Sequence, residues 1–235
     1  MVFFHGKGEV DLEDRLGEID LIVTGPHATA AFPAEMQPFV DPSLTRRLQY
    51  DFSDVSTAPI AQRWASLDPK VLYIEDPHPR AVRDANRPKP ADLVATIREA
   101  FDAVRPVTFG YLPVLRRPVD GDQWSQLGSA LATAGALGID EYERVRDALI
   151  DRVVEAKLAR LAGLDPASLT VADWNSATSL NVLSIHDTMN LTARPDGAVC
   201  LERPPADRLP AVVALSNRGD ADGEVSVSAS VDVRD

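Results

Sequence analysis

The chain has 235 residues, with 24 Lys and Arg against 36 Asp and Glu, a formal net charge of −12 at pH 7. Net negative charge repels phosphate backbones and anionic membrane surfaces, which argues against nucleic acid and membrane as partners. Cys200 is the single cysteine, so neither an internal disulfide nor a Cys-rich zinc site is available. No apolar stretch approaches the ~20 residues of a membrane span, and the acidic N-terminal region lacks the apolar segment of a signal peptide. A soluble cytoplasmic protein is the expectation. The length suits one large α/β domain or two small ones.

Residues 1–18 are polar and turn-rich and read as a surface lead-in. Residues 19–24 form an apolar run stopped by Pro26, the pattern of a core strand. Pro33, Pro38 and Pro42 then predict an irregular loop around a short helix. Ile60, Ala61, Trp64 and Ala65 fall at helical spacing within 54–66. Val71-Leu72-Tyr73-Ile74 predicts a second strand running into a charged loop. Leu93, Val94, Ile97 and Phe101 share one face of a helix predicted over 91–104, and 105–135 reads as a long loop with a short helix. Residues 140–162 predict the clearest helix. Asp140 stands as its N-cap, Gly163 as its C′ residue, and Val145, Leu149, Val153, Leu158 and Leu161 as its buried stripe. Runs at 179–185 and 210–215 predict a third and a fourth strand. Strands alternating with helices imply a three-layer α/β fold, a mixed and mostly parallel sheet with helices on both faces.

Two of the four histidines end strand-like runs: His27 after Leu21–Pro26, and His186 after Leu180–Ile185. Side chains at the carboxyl ends of parallel strands line the crevice where ligands bind. Two imidazoles placed there are natural partners around one divalent ion, although a lone histidine at a strand end is commonly a hydrogen-bonding structural residue. Hydrolytic zinc sites often add one carboxylate and leave a position for water. Asp51, just before a helix, is the first candidate, Asp54 the second and Glu35 the third; an Asp in that place also suits an N-cap. A second constellation, Arg80, Asp84, Asn86 and Arg87, follows the second strand. Arginine presents a planar fork that matches a carboxylate, asparagine adds a donor, and Asp84 has the chemistry to hold an arginine in place. The same composition also suits a solvated salt-bridge loop.

In order along the chain stand Gly25-Pro26-His27, Tyr50-Asp51, Pro79-Arg80-Ala81-Val82-Arg83-Asp84-Ala85-Asn86-Arg87 and Ile185-His186-Asp187-Thr188-Met189. This series resembles the N-formylglutamate amidohydrolase family over roughly residues 19–220, with the arginine signature its most specific part. The resemblance implies a fold similar to zinc carboxypeptidases and aspartoacylases, and a divalent metal, zinc foremost, held by His27, Asp51 and His186. It implies that Arg80 is catalytic, polarising the scissile carbonyl, and that Asn86 and Arg87, with Asp84, bind substrate through its carboxylate. The chain departs from that family at Ser184, where an aspartate is usual, and at Asp187, where a serine is usual. No residue matches the family's late glutamate base; Glu202 and Glu224 are the nearest acids. The expectation is a single hydrolase-type domain over 1–235, short at its C-terminus relative to that family. It would be a metal-dependent amidohydrolase cleaving a small N-acyl amino acid such as N-formylglutamate, with homo-oligomer formation left open. The alternative is a catalytically weakened homologue that binds carboxylate ligands.

Overall fold

A computed structural model describes residues 2–46, 49, 53–80, 82–85, 89–103, 114–164, 167, 170–172, 179–187, 190–193, 199–202, 212–217 and 228–232, with side chains as far as Ile185. The fold is mixed α/β. Its main sheet contains β1 (Val2–Phe4), β2 (Leu21–Gly25), β3 (Val71–Glu75), β4 (Asn181–Asp187), β7 (Val212–Asn217) and β8 (Ser228–Asp232), in the order β1-β3-β2-β4-β7-β8. β5 (Asn190–Ala193) and β6 (Val199–Glu202) make a separate antiparallel pair. β2 runs parallel to β3 and to β4. β1–β3, β4–β7 and β7–β8 pair antiparallel. The expectation of a mostly parallel sheet is therefore corrected: parallel pairing is confined to the three central strands. Parallel neighbours need a long crossover, which the helical segments between β2, β3 and β4 supply.

Helices cover both faces of the central strands. α1 (Thr57–Leu67) packs Ala61 and Ala65 against Val23, Val71, Tyr73 and Ile185. On the other face α4 (Ile139–Ala162) sets Tyr142, Leu149 and Val153 against Ile22, Leu72 and Ile74. Strand side chains alternate between faces, and a central strand buried on both must be apolar throughout; the Ile22-Val23 and Leu72-Tyr73 runs satisfy that. A third core lies beside the sheet. There α2 (Leu93–Ala103), α3 (Gly121–Leu137) and a 3-10 turn at Ala34–Phe39 gather around Met36, Val82, Leu127 and Ala134.

Several expectations change. The lead-in at 1–18 contains edge strand β1 and a 3-10 turn at Glu13–Glu18 that buries Leu16. The predicted loop at 105–135 holds α3, a 17-residue helix capped by Asp120, whose carboxylate accepts from Gln123 N at 2.9 Å; residues 104–113 lie outside the described residues. Its core face is Leu127, Ala130, Leu131 and Ala134. Alanine among glycine and serine gives a weak apolar signal, and that hid the helix. α4 begins at Gly138 as N-cap, so Asp140 sits in the first turn, and Gly163 is right-handed rather than the left-handed C′ residue expected. Leu158 is exposed. The stripe follows Tyr142, Val145, Leu149 and Val153 to Lys157, which takes the last buried place by giving Asp20 a 2.9 Å contact. The Ser/Val-rich tail supplies β8. Among the described residues no helix is long and apolar enough to cross a membrane.

Lys157 is almost fully buried, and Asp20 also receives Lys70 at 2.7 Å. Removing the carboxylate takes a close partner from a buried charge, whereas replacing the lysine with an apolar chain of similar length leaves no charge in that place. Asp20→Ala should cost roughly 2–4 kcal/mol in urea unfolding and Lys157→Met clearly less; equal losses would contradict this account of the pair.

Candidate active site

Gly25 closes β2, and Tyr73 from β3 lies where a Cβ at that position would be, so only glycine fits. Pro26 then ends the strand and turns the chain, placing His27 beyond the carboxyl end of β2. His27 is 3 % exposed. Asp54, in the turn before α1, binds it twice: its backbone N donates to His27 O at 2.8 Å, and its Oδ2 lies 3.2 Å from His27 Nδ1. Asp54 O in turn accepts from Thr57 N and Oγ1, which fixes the turn to the helix start. On the other ring edge, Asp84 Oδ1 lies 2.8 Å from His27 Nε2. The second oxygen of Asp84 accepts from Arg80 Nη2 at 2.9 Å. The result is a chain of contacts, Arg80–Asp84–His27–Asp54, joining the segments after β3 and β2 to the start of α1.

The electrostatics follow from burial and from these contacts. Burial alone lowers the affinity of His27 for a proton, but the bonds to Asp54 and Asp84 outweigh it and hold the imidazole above its ordinary value. Asp76, just past β3, is completely buried. Its N donates to Gly25 O at 3.0 Å, and its Oδ1 accepts from His78 N at 2.9 Å. Oδ2 has no partner among the described residues. Burial pushes this carboxyl up to about 7, although the His78 N–H and the charges of His27 and Arg83 work the other way. A carboxyl titrating near neutrality beside a candidate site is the usual setting for proton transfer.

Arg83 faces away from His27. It is buried and binds Glu143 at 2.6 Å and Asp140 at 3.2 Å on α4. Val82 and Ala85 are buried as well, so the segment after β3 is anchored in the core rather than being a solvated salt-bridge loop.

The sequence-derived candidates divide as follows. His27, Arg80 and Asp84 are brought together. Asp54, second choice as a ligand, lies with its Oδ2 3.2 Å from His27 Nδ1. Asp51, Asn86 and Arg87 lie outside the described residues. His186 lies in β4, and its side chain is likewise outside them. The register Thr24↔Ser184 between parallel β2 and β4 nevertheless sets His27 and His186 at the same end of adjacent strands. Ser184 meets Thr24 Oγ1 at 2.9 Å. Glu35 Oε1 is buried without a partner among the described residues. Asp76 was passed over in the sequence; an Asp directly after an apolar strand, two residues before a histidine, was the available signal. Among the described residues no group of three His, Cys, Asp or Glu side chains is arranged to hold a metal.

No protein-family model, curated protein or solved structure matches this chain.

Because the folded state holds the Asp76 proton more tightly than the unfolded chain, the contribution of Asp76 to stability is fully present below the ordinary value of 3.8 and is lost as pH rises to about 7. The full difference corresponds to about 4 kcal/mol. Asp76→Asn should flatten the fall between pH 4 and 7 in chemical unfolding; an unchanged slope would remove Asp76 as its cause.

Proposed function

We propose that the chain is a metal-dependent amidohydrolase acting on a small N-acyl amino acid, with a zinc-exopeptidase-like arrangement of sheet and helices. The observation that carries this reading is His27: a buried imidazole at the carboxyl end of a central strand, oriented at Nδ1 by Asp54 and turned at Nε2 towards Asp84 and Arg80. A metal-ligating histidine typically gives one ring nitrogen to an orienting carboxylate and the other to the metal. His27 meets the first half of that requirement with Nδ1 on Asp54, Asp84 Oδ1 lies 2.8 Å from Nε2, where the metal would go, and imidazole with carboxylates is a donor set that suits zinc. His186, at the same end of the neighbouring strand, and Asp51, as the resemblance to N-formylglutamate amidohydrolases implies, would complete the ligand set. A divalent metal bound there would polarise an amide carbonyl and lower the pKa of a water towards ~7.

The chain's own residues supply the rest. Arg80 is partly exposed and gives one donor to Asp84, and its planar fork has further donors to offer an oxyanion. Asp84 holds both His27 and Arg80, so it fixes their separation. Asn86 and Arg87 would take the substrate carboxylate. Asp76 is a buried carboxyl pushed up to about 7, and it is the carboxyl we assign to proton transfer, since no residue matches the late glutamate of the resembled family. Acidic N-acyl amino acids such as N-formylglutamate are the first substrates to test.

One observation favours the second reading, a carboxylate-binding homologue without turnover: both ring nitrogens of His27 are engaged by carboxylates. Metal analysis and turnover separate the two. Protein purified without chelators and given zinc should hold one equivalent, and His27→Ala should hold none. Arg80→Ala should keep its metal and lose roughly 10²–10³-fold in amine release from formyl-, acetyl- and succinyl-amino acids. Metal-loaded wild type that binds these acids without cleaving any of them would establish the binding protein instead.

A further inference from the structure

A cavity of about 210 Å³ lies between α4 and the strands β2 and β4. Ile150 and Val182 form apolar sides, and Thr24, Ser184, Tyr142, Arg146 and Asp147 supply polar ones. Two periodicities bring these groups together. Tyr142, Arg146 and Ile150 recur every fourth residue along α4, and Thr24 and Ser184 are register partners in parallel strands. At roughly 30 Å³ for each water molecule, the space suits an occupant of only a few heavy atoms.

The hydroxyls are tied to one another. Thr24 Oγ1 donates to Leu183 O at 3.2 Å and meets Ser184 Oγ at 2.9 Å. Tyr142 is hydrogen-bonded to Thr24 and to Arg146. The charged groups stand nearer to solvent: the Arg146 side chain is 12 % exposed and that of Asp147 62 %. Both line the cavity, so an entering ligand meets both. Arg146 gives Nε and Nη2 to Asp147 Oδ1, each at 2.8 Å. Of the five N–H donors of an arginine, these two and the one to Tyr142 are committed, and two remain. Asp147 makes its contacts through Oδ1, which leaves Oδ2 to accept. Glu143, the other acid acting on Arg146, is taken by Arg83 at 2.6 Å.

The cavity therefore presents spare donors of a guanidinium directly beside an open carboxylate oxygen, with no net charge. A ligand that is only an anion would face Asp147, and one that is only a cation would face Arg146. A ligand carrying both charges on one carbon satisfies the two together. We infer that this cavity binds a small aliphatic α-amino acid as its zwitterion, with its carboxylate on Arg146, its ammonium on Asp147 Oδ2 and its side chain between Ile150 and Val182. The site is independent of the metal and of the proposed hydrolysis. An N-acyl amino acid has no ammonium, so the substrate proposed for the His27 edge would be turned away here.

Four probes test it by amide NMR titration into the full chain: L-2-aminobutyrate, its N-acetyl derivative, butyrate and propylamine. Aminobutyrate should give saturable shifts at Thr24, Asp147, Ile150 and Val182. The other three should bind there at least roughly tenfold more weakly, since each loses a charge partner or meets a like charge. Because Asp147 is exposed, Asp147→Asn should keep its melting temperature. That variant should weaken aminobutyrate at least roughly fivefold and tighten butyrate, as Arg146 is then left without its carboxylate. Absence of saturable shifts with aminobutyrate, shifts confined to other regions, equal or tighter binding of any other probe by wild type, or undiminished aminobutyrate binding in Asp147→Asn would each overturn the assignment.

Discussion

The hold of two carboxylates on His27 is the constraint from which the rest of the site follows. Burying an imidazole at the end of a strand is unfavourable unless both ring nitrogens find partners. Asp54 and Asp84 supply them from opposite directions, at 3.2 and 2.8 Å. Each carboxylate is itself tied down, Asp54 through its backbone contacts to His27 and Thr57, and Asp84 through Arg80. Fixing one ring therefore fixes the start of α1 and the turn after β3 relative to the end of β2. The central parallel strands make this possible, because they deliver the ends of β2, β3 and β4 to one edge of the sheet.

Proton distribution at this edge is set by depth as much as by partners. His27 is held above its ordinary value because hydrogen bonds to carboxylates outweigh desolvation. Asp76 goes the other way from an ordinary carboxyl because desolvation outweighs one backbone N–H and two more distant cations. Both groups thus hold a proton more tightly than their ordinary counterparts, His27 through its carboxylate partners and Asp76 through burial. An edge of this kind is suited to moving a proton, and this links the fold to the proposed amide chemistry.

Much of this was legible in the sequence where apolar runs were continuous. Residues 19–24 and Val71–Ile74 announced themselves as strands because burial on both faces favours a nearly continuous apolar run. His27, Arg80 and Asp84 were legible as chemistry because each follows such a run. α3 was not, since a core face of Ala130, Leu131 and Ala134 among Gly and Ser lacks contrast. The end of the α4 stripe was misread at Leu158 because a paired lysine, Lys157, occupies the buried place. The role of Asp54 as the partner of His27 depends on a contact across 27 residues, and no local pattern encodes it. Nor does composition reveal that Arg83 turns inward to α4 while Arg80 turns towards the site.

The central claim is that Asp54 and Asp84 together grip His27, and nitrogen-resolved NMR of the His27 ring in metal-free protein tests it most directly. The account predicts that His27 titrates above the ordinary histidine value of about 6.5, and that Asp54→Asn and Asp84→Asn each lower it. A wild-type value below the ordinary one, or one that neither substitution moves, would contradict it.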